Sequence, residues 1–311
     1  MRKQRPEAGS AAGLTQSNLR VAGEGRLRTM HGLPAPLVLL ALACLLAVGL
    51  ACGSLSVTPT ALPTATLVPS PDPAPTATPE PPDTGWQTSQ PGIEIRRLRV
   101  QIGDYIERPI IVRVDPAAVY FRVHYDPSSL RPVSAWADQL GGLLVINGGY
   151  FSEEGATTAL LVSNGQRWGS SYGDFAGQFT VSPADQVDVR WLAAHPYDPE
   201  EPVKEALQSF PVLVKPGGVM SFPADADAGQ PSRRSVVAQD AEGRILFIVA
   251  PNGYFSLHTL ARFLAESDLG IDVALNLDGG TSAGMWVSTG NGPLVADSLA
   301  PVPSVISVQP R

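Results

Sequence analysis

Nine of the chain's 30 prolines fall in the 26 residues Val57–Pro82, VTPTALPTATLVPSPDPAPTATPEPP. Proline fixes φ near −65° and has no backbone N–H, so a tract this dense builds neither a helix nor a central strand and stays an extended spacer. Whatever folds in this 311-residue chain must therefore lie on one side of the tract. The upstream side offers little. Residues 1–28 hold six Arg or Lys against two Glu and show no hydrophobic periodicity, and Met30 provides a second possible start. Leu37–Ala51 is uncharged and apolar, with basic residues before it and small residues at its end, the layout of an export signal. It is short for a spanning helix, which needs about 20 apolar residues.

Both cysteines, Cys44 and Cys52, lie in or at the end of this run, and Cys52 is followed by Gly53 and Ser54. The arrangement resembles a bacterial lipoprotein processing site at Cys52, with Gly49 where Leu is usual; a plain signal anchor is the alternative. Either way the chain is expected to be exported and held in the bacterial cell envelope, its membrane contact a lipidated Cys52 or an anchor. The expected divisions are 1–29, an extension that is disordered or untranslated; 30–52, the signal or lipoprotein segment; 53–84, the Pro/Thr-rich linker; and 85–311, the folded domain.

Residues 85–311 have the length of one domain. Alternating apolar and polar residues predict strands near 93–100, 110–114 and 119–123. Short apolar runs predict others near 143–146, 159–163, 179–181, 187–192, 212–214, 235–239, 245–250, 273–277, 284–287 and 305–308. One helix is clear at 257–267, with Ser256 as N-cap and Leu257, Leu260, Phe263 and Leu264 on one stripe. Strand 245–250, this helix and strand 273–277 are expected to form a β-α-β unit. The reading is a single α+β domain around a mixed, strand-rich sheet with few helices. Beyond residue 28 the chain holds 16 basic against 27 acidic residues, which argues against nucleic acid as a partner. His124, His195 and His258 show no metal-type spacing, so no metal is assigned and the cofactor is left unknown.

Two segments share one pattern. Leu144–Phe151 reads LVINGGYF and Leu275–Ser282 reads LNLDGGTS; each is an apolar strand, one Asn or Asp, then Gly-Gly. Each pair can be no more than a tight turn. Alternatively, each presents Asn147 or Asp278 at the carboxyl end of a strand, where ligands bind in many sheet proteins, and leaves backbone open to a ligand. Arg233 and Arg234, entering a strand, are either an ordinary surface pair or a bidentate phosphate clamp. Glu153, Glu154 and Asp174 are the other carboxylates near the turns.

Taken together, Asn147-Gly-Gly-Tyr-Phe, Arg234-Ser-Val-Val-Ala with its following acidic-Gly turn, the 257–267 helix and Asn276-Leu-Asp-Gly-Gly resemble the phosphodiester glycosidase family over about residues 93–309. Its lysosomal member removes N-acetylglucosamine from a phosphodiester. Thr281 stands where the family often has Gly, and Ser282 is kept. The resemblance implies an α+β fold and hydrolysis of a sugar–phosphate diester, here with a glycan or sugar-phosphate substrate of the envelope or extracellular space. It implies Asp278 as central carboxylate, Asn147 as a sugar or phosphate hydrogen-bond partner and Arg234 as phosphate clamp. Gly148, Gly149, Tyr150, Phe151, Arg233, Gly279, Gly280 and Ser282 are expected to bind substrate. Glu153 or Glu154 is the candidate second carboxylate. The rival classes are a tethered, non-catalytic cell-wall glycan-binding module and a hydrolase of ordinary, phosphate-free glycosides.

Overall fold

The computed structural model describes residues 81–173, 175–223 and 230–311, all within the compact unit Pro75–Arg311. The expected signal, Cys52 lipidation and most of the linker lie outside the described residues, as does Asp174. No helix among the described residues is long and apolar enough to cross a membrane.

The chain begins with β1 (Gln87–Gln90), β2 (Ile93–Arg97), β3 (Val100–Ile102), β4 (Tyr105–Glu107), β5 (Ile110–Val114) and β6 (Val119–Tyr125). Helix α1 (Val133–Leu140) leads to β7 (Leu144–Asn147), β8 (Leu161–Ser163), β9 (Gln166–Trp168), β10 (Gly177–Val181) and β11 (Val187–Trp191). Then come β12 (Glu205–Ser209), β13 (Val212–Lys215), β14 (Val219–Met220), β15 (Ser232–Asp240) and β16 (Ile245–Phe255). Helix α2 (Leu257–Glu266), β17 (Ile271–Asn276), β18 (Met285–Val287), β19 (Leu294–Ala296) and β20 (Ser304–Pro310) complete the domain. The strand-rich α+β architecture is as expected. Neighbouring strands pair antiparallel in an eight-stranded sheet β1-β2-β5-β16-β15-β17-β13-β14 and in two five-stranded sheets, β11-β10-β12-β8-β9 and β19-β18-β7-β20-β6.

The large sheet is buried on both faces, which explains why β16 begins as a near-continuous apolar run. Ile245, Phe247 and Val249 face the core where the three sheets meet, among Phe121, Phe179, Leu207 and Ile306. Leu246, Ile248 and Ala250 face α2, whose Leu260, Ala261 and Leu264 cover them. As the sequence predicted, Ser256 caps α2 by accepting the Thr259 N–H. The expected β-α-β unit is modified: β15 lies between β16 and β17 and pairs with both, so the helix carries the chain across an intervening strand.

Close packing leaves no room for a side chain at Gly284. A Cβ there would lie 2.4 Å from the Ser298 nitrogen and 2.9 Å from the Asp297 carbonyl carbon, both backbone atoms that cannot swing aside. Gly284→Ala is expected to destabilise the domain by about 1–3 kcal/mol through overpacking. A thermal melt indistinguishable from that of the unaltered protein would contradict the packing at this position.

Candidate active site

The two Gly-Gly turns meet. β7 delivers Asn147 and β17 ends just before Asp278, and the Asp278 N–H donates to the Gly148 carbonyl at 3.1 Å. Asn147 completes the clasp. Its side-chain amide donates to the Asp278 carbonyl (2.8 Å) and the Gly148 carbonyl (3.2 Å), while its side-chain oxygen accepts the Gly284 N–H (3.1 Å). Asn147 is fully buried, so this side chain acts here as a strut between two backbone segments. Gly148 and Gly149 are buried as well. A Cβ on Gly148 would meet the Ser304 hydroxyl at 2.2 Å, and one on Gly149 the Gln208 carbonyl at 2.9 Å, so the close neighbour these glycines admit is the protein itself.

Across the sheet, β15 pairs with β17 through Val236↔Asn276, and the Leu277 N–H donates to the Ser235 carbonyl at 2.9 Å. Arg234 and Asp278 are the next residues beyond this contact, and Tyr150 feels the charges of both. Arg234 donates from Nε to the Phe255 carbonyl (3.2 Å) and from Nη2 to the Gln230 carbonyl (3.1 Å). These bonds hold its guanidinium so that Nη1 lies 3.7 Å from where a Gly279 Cβ would sit. The close neighbour that glycine at 279 admits is the Arg233 carbonyl, 3.0 Å from where a Cβ would sit. Gly280 follows with φ +61°, in the left-handed region that favours glycine. Arg233 points elsewhere, donating to the Asp297 carbonyl at 2.7 Å, and its Nε is buried without a partner.

Asp278 is mostly buried, and burial raises its carboxyl above the ordinary aspartate range; hydrogen bonds from the Ser282 hydroxyl and the Gly279 N–H (2.9 Å) act the other way. Tyr150 stands beside it. Burial, and then the Asp278 charge, push the phenol up to about 12, while Arg234 and the hydrogen bond from Asn276 oppose that rise. The Asn276 amide donates to the Tyr150 hydroxyl (2.9 Å) and to the Phe210 carbonyl (3.0 Å).

The Tyr150 ring stacks on Phe210 with centroids 4.6 Å apart, and Phe210 also packs edge-on against Tyr172 and Phe175. Phe175 is 57% exposed. An acid, a guanidinium and an exposed aromatic surface therefore lie together, a combination suited to an anionic, ring-bearing ligand.

Of the residues singled out in the sequence, Tyr150, Arg234, Asp278, Gly279, Gly280 and Ser282 come together around this turn. Phe151 instead packs against the cluster of Val133 and Trp136 on α1. Glu153 and Glu154 are exposed, and Glu154 is bonded to the Ser152 hydroxyl. Sequence reasoning did not assign roles to Asn276, Phe210, Tyr172 and Phe175. Asn276 carried a signal, since it stands two residues before Asp278 on the same strand and hence on the same face. The aromatic residues, scattered from 172 to 210, carried none. Among the described residues no group of three or more His, Cys, Asp or Glu could hold a metal ion.

This fold is a strand-rich α+β domain that brings an acid and an arginine together beside a Gly-Gly turn. The phosphodiester glycosidase family model matches residues 141–309, more than half of the chain, and the chain belongs to that family. Its structure is similar to the zebrafish N-acetylglucosamine-1-phosphodiester alpha-N-acetylglucosaminidase catalytic domain, auto-inhibited by its pro-peptide, at 20% identity over 76% of this chain and 86% of that one, TM-score 0.54. It is also similar to a Synechocystis protein, at 17% identity over 71% of this chain and 62% of that one, TM-score 0.50. At these identities the likeness is one of fold. No protein of curated function matches the sequence.

Proposed function

We propose that the chain is an exported hydrolase that cleaves the glycosidic bond between a sugar and a phosphodiester in an envelope or extracellular glycan. The observation that carries this reading is the Arg234 guanidinium beside the Gly279–Gly280 turn that follows Asp278, with Tyr150 within electrostatic reach of both charges. A phosphate ester is a weakly basic leaving group, so it needs charge stabilisation more than protonation. Arg234 meets that need by pairing with the departing phosphate oxygens. Asp278, held in a water-poor site, acts at the anomeric carbon as nucleophile or acid/base, as carboxylates do in glycoside cleavage. Tyr150, Phe210 and Phe175 offer ring faces to the sugar. The N-terminal apolar run and the Pro/Thr tract supply export and a tether, with Cys52 as the point of lipid attachment.

The test is release of N-acetylglucosamine from UDP-N-acetylglucosamine by the whole chain, with Arg234→Gln as comparison. Hydrogen bonds to charged groups contribute about 1.5–3 kcal/mol, so the variant should lose roughly 10- to 100-fold in kcat/KM on this substrate. Equal turnover of a phosphate-free aryl N-acetylglucosaminide would show an ordinary glycosidase instead. Binding to cell-wall glycan without turnover would show a non-catalytic module.

A further inference from the structure

At Phe175 the aromatic surface of the site runs into a cavity of about 360 Å³, lined by Phe175, Trp191, Pro211, Lys215, Phe222 and the exposed Ala193. That volume falls within the roughly 300–1,000 Å³ of small-molecule pockets. Three of these residues are aromatic. The cavities at Thr289 and Leu294, at Asp188 and Arg190, and at Arg97 and Arg108 are lined by no aromatic side chain. The walls are fixed from several parts of the chain. Trp191 ends β11 and packs on the core where the sheets meet. Its partner on β10, Gly177, permits that approach: a Cβ there would lie 2.7 Å from Leu275 Cδ1 and 2.9 Å from Val212 Cγ2. Phe222 packs against the cluster that α2 covers, and the His258 ring N–H donates to the Phe222 carbonyl at 3.0 Å. The Lys215 ammonium lies over the Trp191 ring, 4.6 Å from its centroid.

The topology ties this groove to the Asp278 site. In the large sheet β17 lies between β15 and β13. Both neighbours run antiparallel to it, so β15 and β13 each start at the end where Asp278 follows β17. The start of β15 carries Arg234, and β13 is entered through Phe210 and Pro211. The Asn276 N–H donates to the Pro211 carbonyl and its side-chain amide to the Phe210 carbonyl, both at 3.0 Å. Arg234 and the groove thus lie on opposite sides of β17. Phe175 belongs to both places, since it packs on Phe210 with centroids 5.9 Å apart and also lines the cavity. From Pro211 to Lys215 the groove follows β13 for on the order of 10–13 Å.

With the phosphate on the Arg234 side, the sugar lies toward Phe210 and the groove. Resting on the proposed cleavage of a sugar–phosphate linkage, we propose that the groove is an oligosaccharide subsite, holding the sugars that continue from the one whose anomeric carbon faces Asp278. The substrate class is then a glycan of several sugars joined through its reducing-end sugar to a phosphodiester, and the product is an oligosaccharide rather than a single sugar. In that step the anomeric C–O bond breaks and its electron pair leaves on the phosphate oxygen, which departs as a phosphomonoester. Water supplies the hydroxyl on the anomeric carbon and releases a proton. Phe175 and Phe222 meet the apolar C–H faces of the sugar rings, and the Lys215 ammonium donates to their hydroxyls.

The test uses the whole chain, with chitotetraose and N-acetylglucosamine titrated calorimetrically as probes. Ala193→Arg, at an exposed position, fills the groove without removing a core contact, and Phe222→Ala removes one of its rings. Two aromatic contacts should make chitotetraose bind the unaltered protein roughly 10-fold more tightly than N-acetylglucosamine. Ala193→Arg should remove that advantage by obstruction. Phe222→Ala should lower it roughly 3- to 10-fold, and both variants should keep kcat/KM on UDP-N-acetylglucosamine. Equal affinity for the two sugars in the unaltered protein overturns the subsite, as does normal chitotetraose binding by Ala193→Arg. A fall in kcat/KM on UDP-N-acetylglucosamine in Ala193→Arg that matches its loss of chitotetraose affinity also overturns it, because the groove would then serve the nucleotide side. Absence of UDP-N-acetylglucosamine hydrolysis in the unaltered protein removes the hydrolase reading, and the chitotetraose titrations still decide the groove.

Discussion

Asp278→Asn is expected to abolish release of sugar from a phosphodiester substrate while leaving the protein more stable at neutral pH. A carboxylate that acts as nucleophile or acid/base contributes about 10²- to 10⁴-fold, and the amide supplies neither role. The stability change follows from burial. The folded-state pKa of Asp278 is raised, chiefly by desolvation, so the folded protein binds this proton more tightly than the unfolded chain does. Linkage then makes this residue's contribution to stability fall as pH climbs from the unfolded value through the raised folded one. Above that window the buried charge is a net cost, which asparagine removes while still accepting the Gly279 N–H. The variant should melt higher than the unaltered protein at pH 7 and show no advantage below about pH 3, where the aspartate is neutral in both states. Full activity in the variant would sink the assignment of Asp278. The same raised pKa should appear in the unaltered enzyme as an acid limb of kcat/KM above the ordinary carboxylate range, if the ionised form is the reactive one.

Asn147→Ala carries the second large effect, and it separates two roles for this residue. The substitution strips a partner from the Asp278 carbonyl and from the Gly284 N–H, both beside a fully buried side chain. Each unsatisfied group costs about 1–3 kcal/mol, and the vacated space adds to it. A loss of about 2–5 kcal/mol corresponds to a fall of roughly 5–15 °C in Tm for a domain of this size. Activity should fall with it, because the strut that sets Asp278 is gone. If Asn147 instead bonds the substrate directly, the variant would keep its Tm and show only a raised KM.

The difference between Asn147 and Asp278 also marks how far the sequence could be read. Both were visible as a polar residue between a buried strand and Gly-Gly, because strand periodicity and turn chemistry are local. Their burial and partners were not. Which of the two faces a cleft and which is clasped between backbones depends on β18, β20 and β12 arriving from elsewhere in the chain. Helices divide in the same way. Helix α2 was legible because its cap, Ser256, is the adjoining residue. Helix α1 was missed because its N-terminal N–H groups are satisfied from a remote loop. Val133 donates to the Ser298 hydroxyl and Ser134 to the Asp297 carboxylate, while Pro132 at its start supplies no side-chain cap. Strand β12, EALQS, has the composition of a helix. It becomes a fully buried strand because Glu205 is fastened to the Val123 and Asn164 N–H groups and both flanks pair with neighbours.

The sequence by itself determined where the chain can fold, downstream of a proline tract that cannot. It also determined most of the strands and the motifs Asn-Gly-Gly-Tyr-Phe and Asn-Leu-Asp-Gly-Gly, because each of these is written in residues a few positions apart. Only the tertiary structure decided that Asn147 is a strut, that Arg234 lies beside the turn after Asp278, and that Tyr150, Phe210 and Phe175 form one aromatic surface. Those relations depend on register across strands far apart in the chain, and register is set by the shared core that the three sheets bury together.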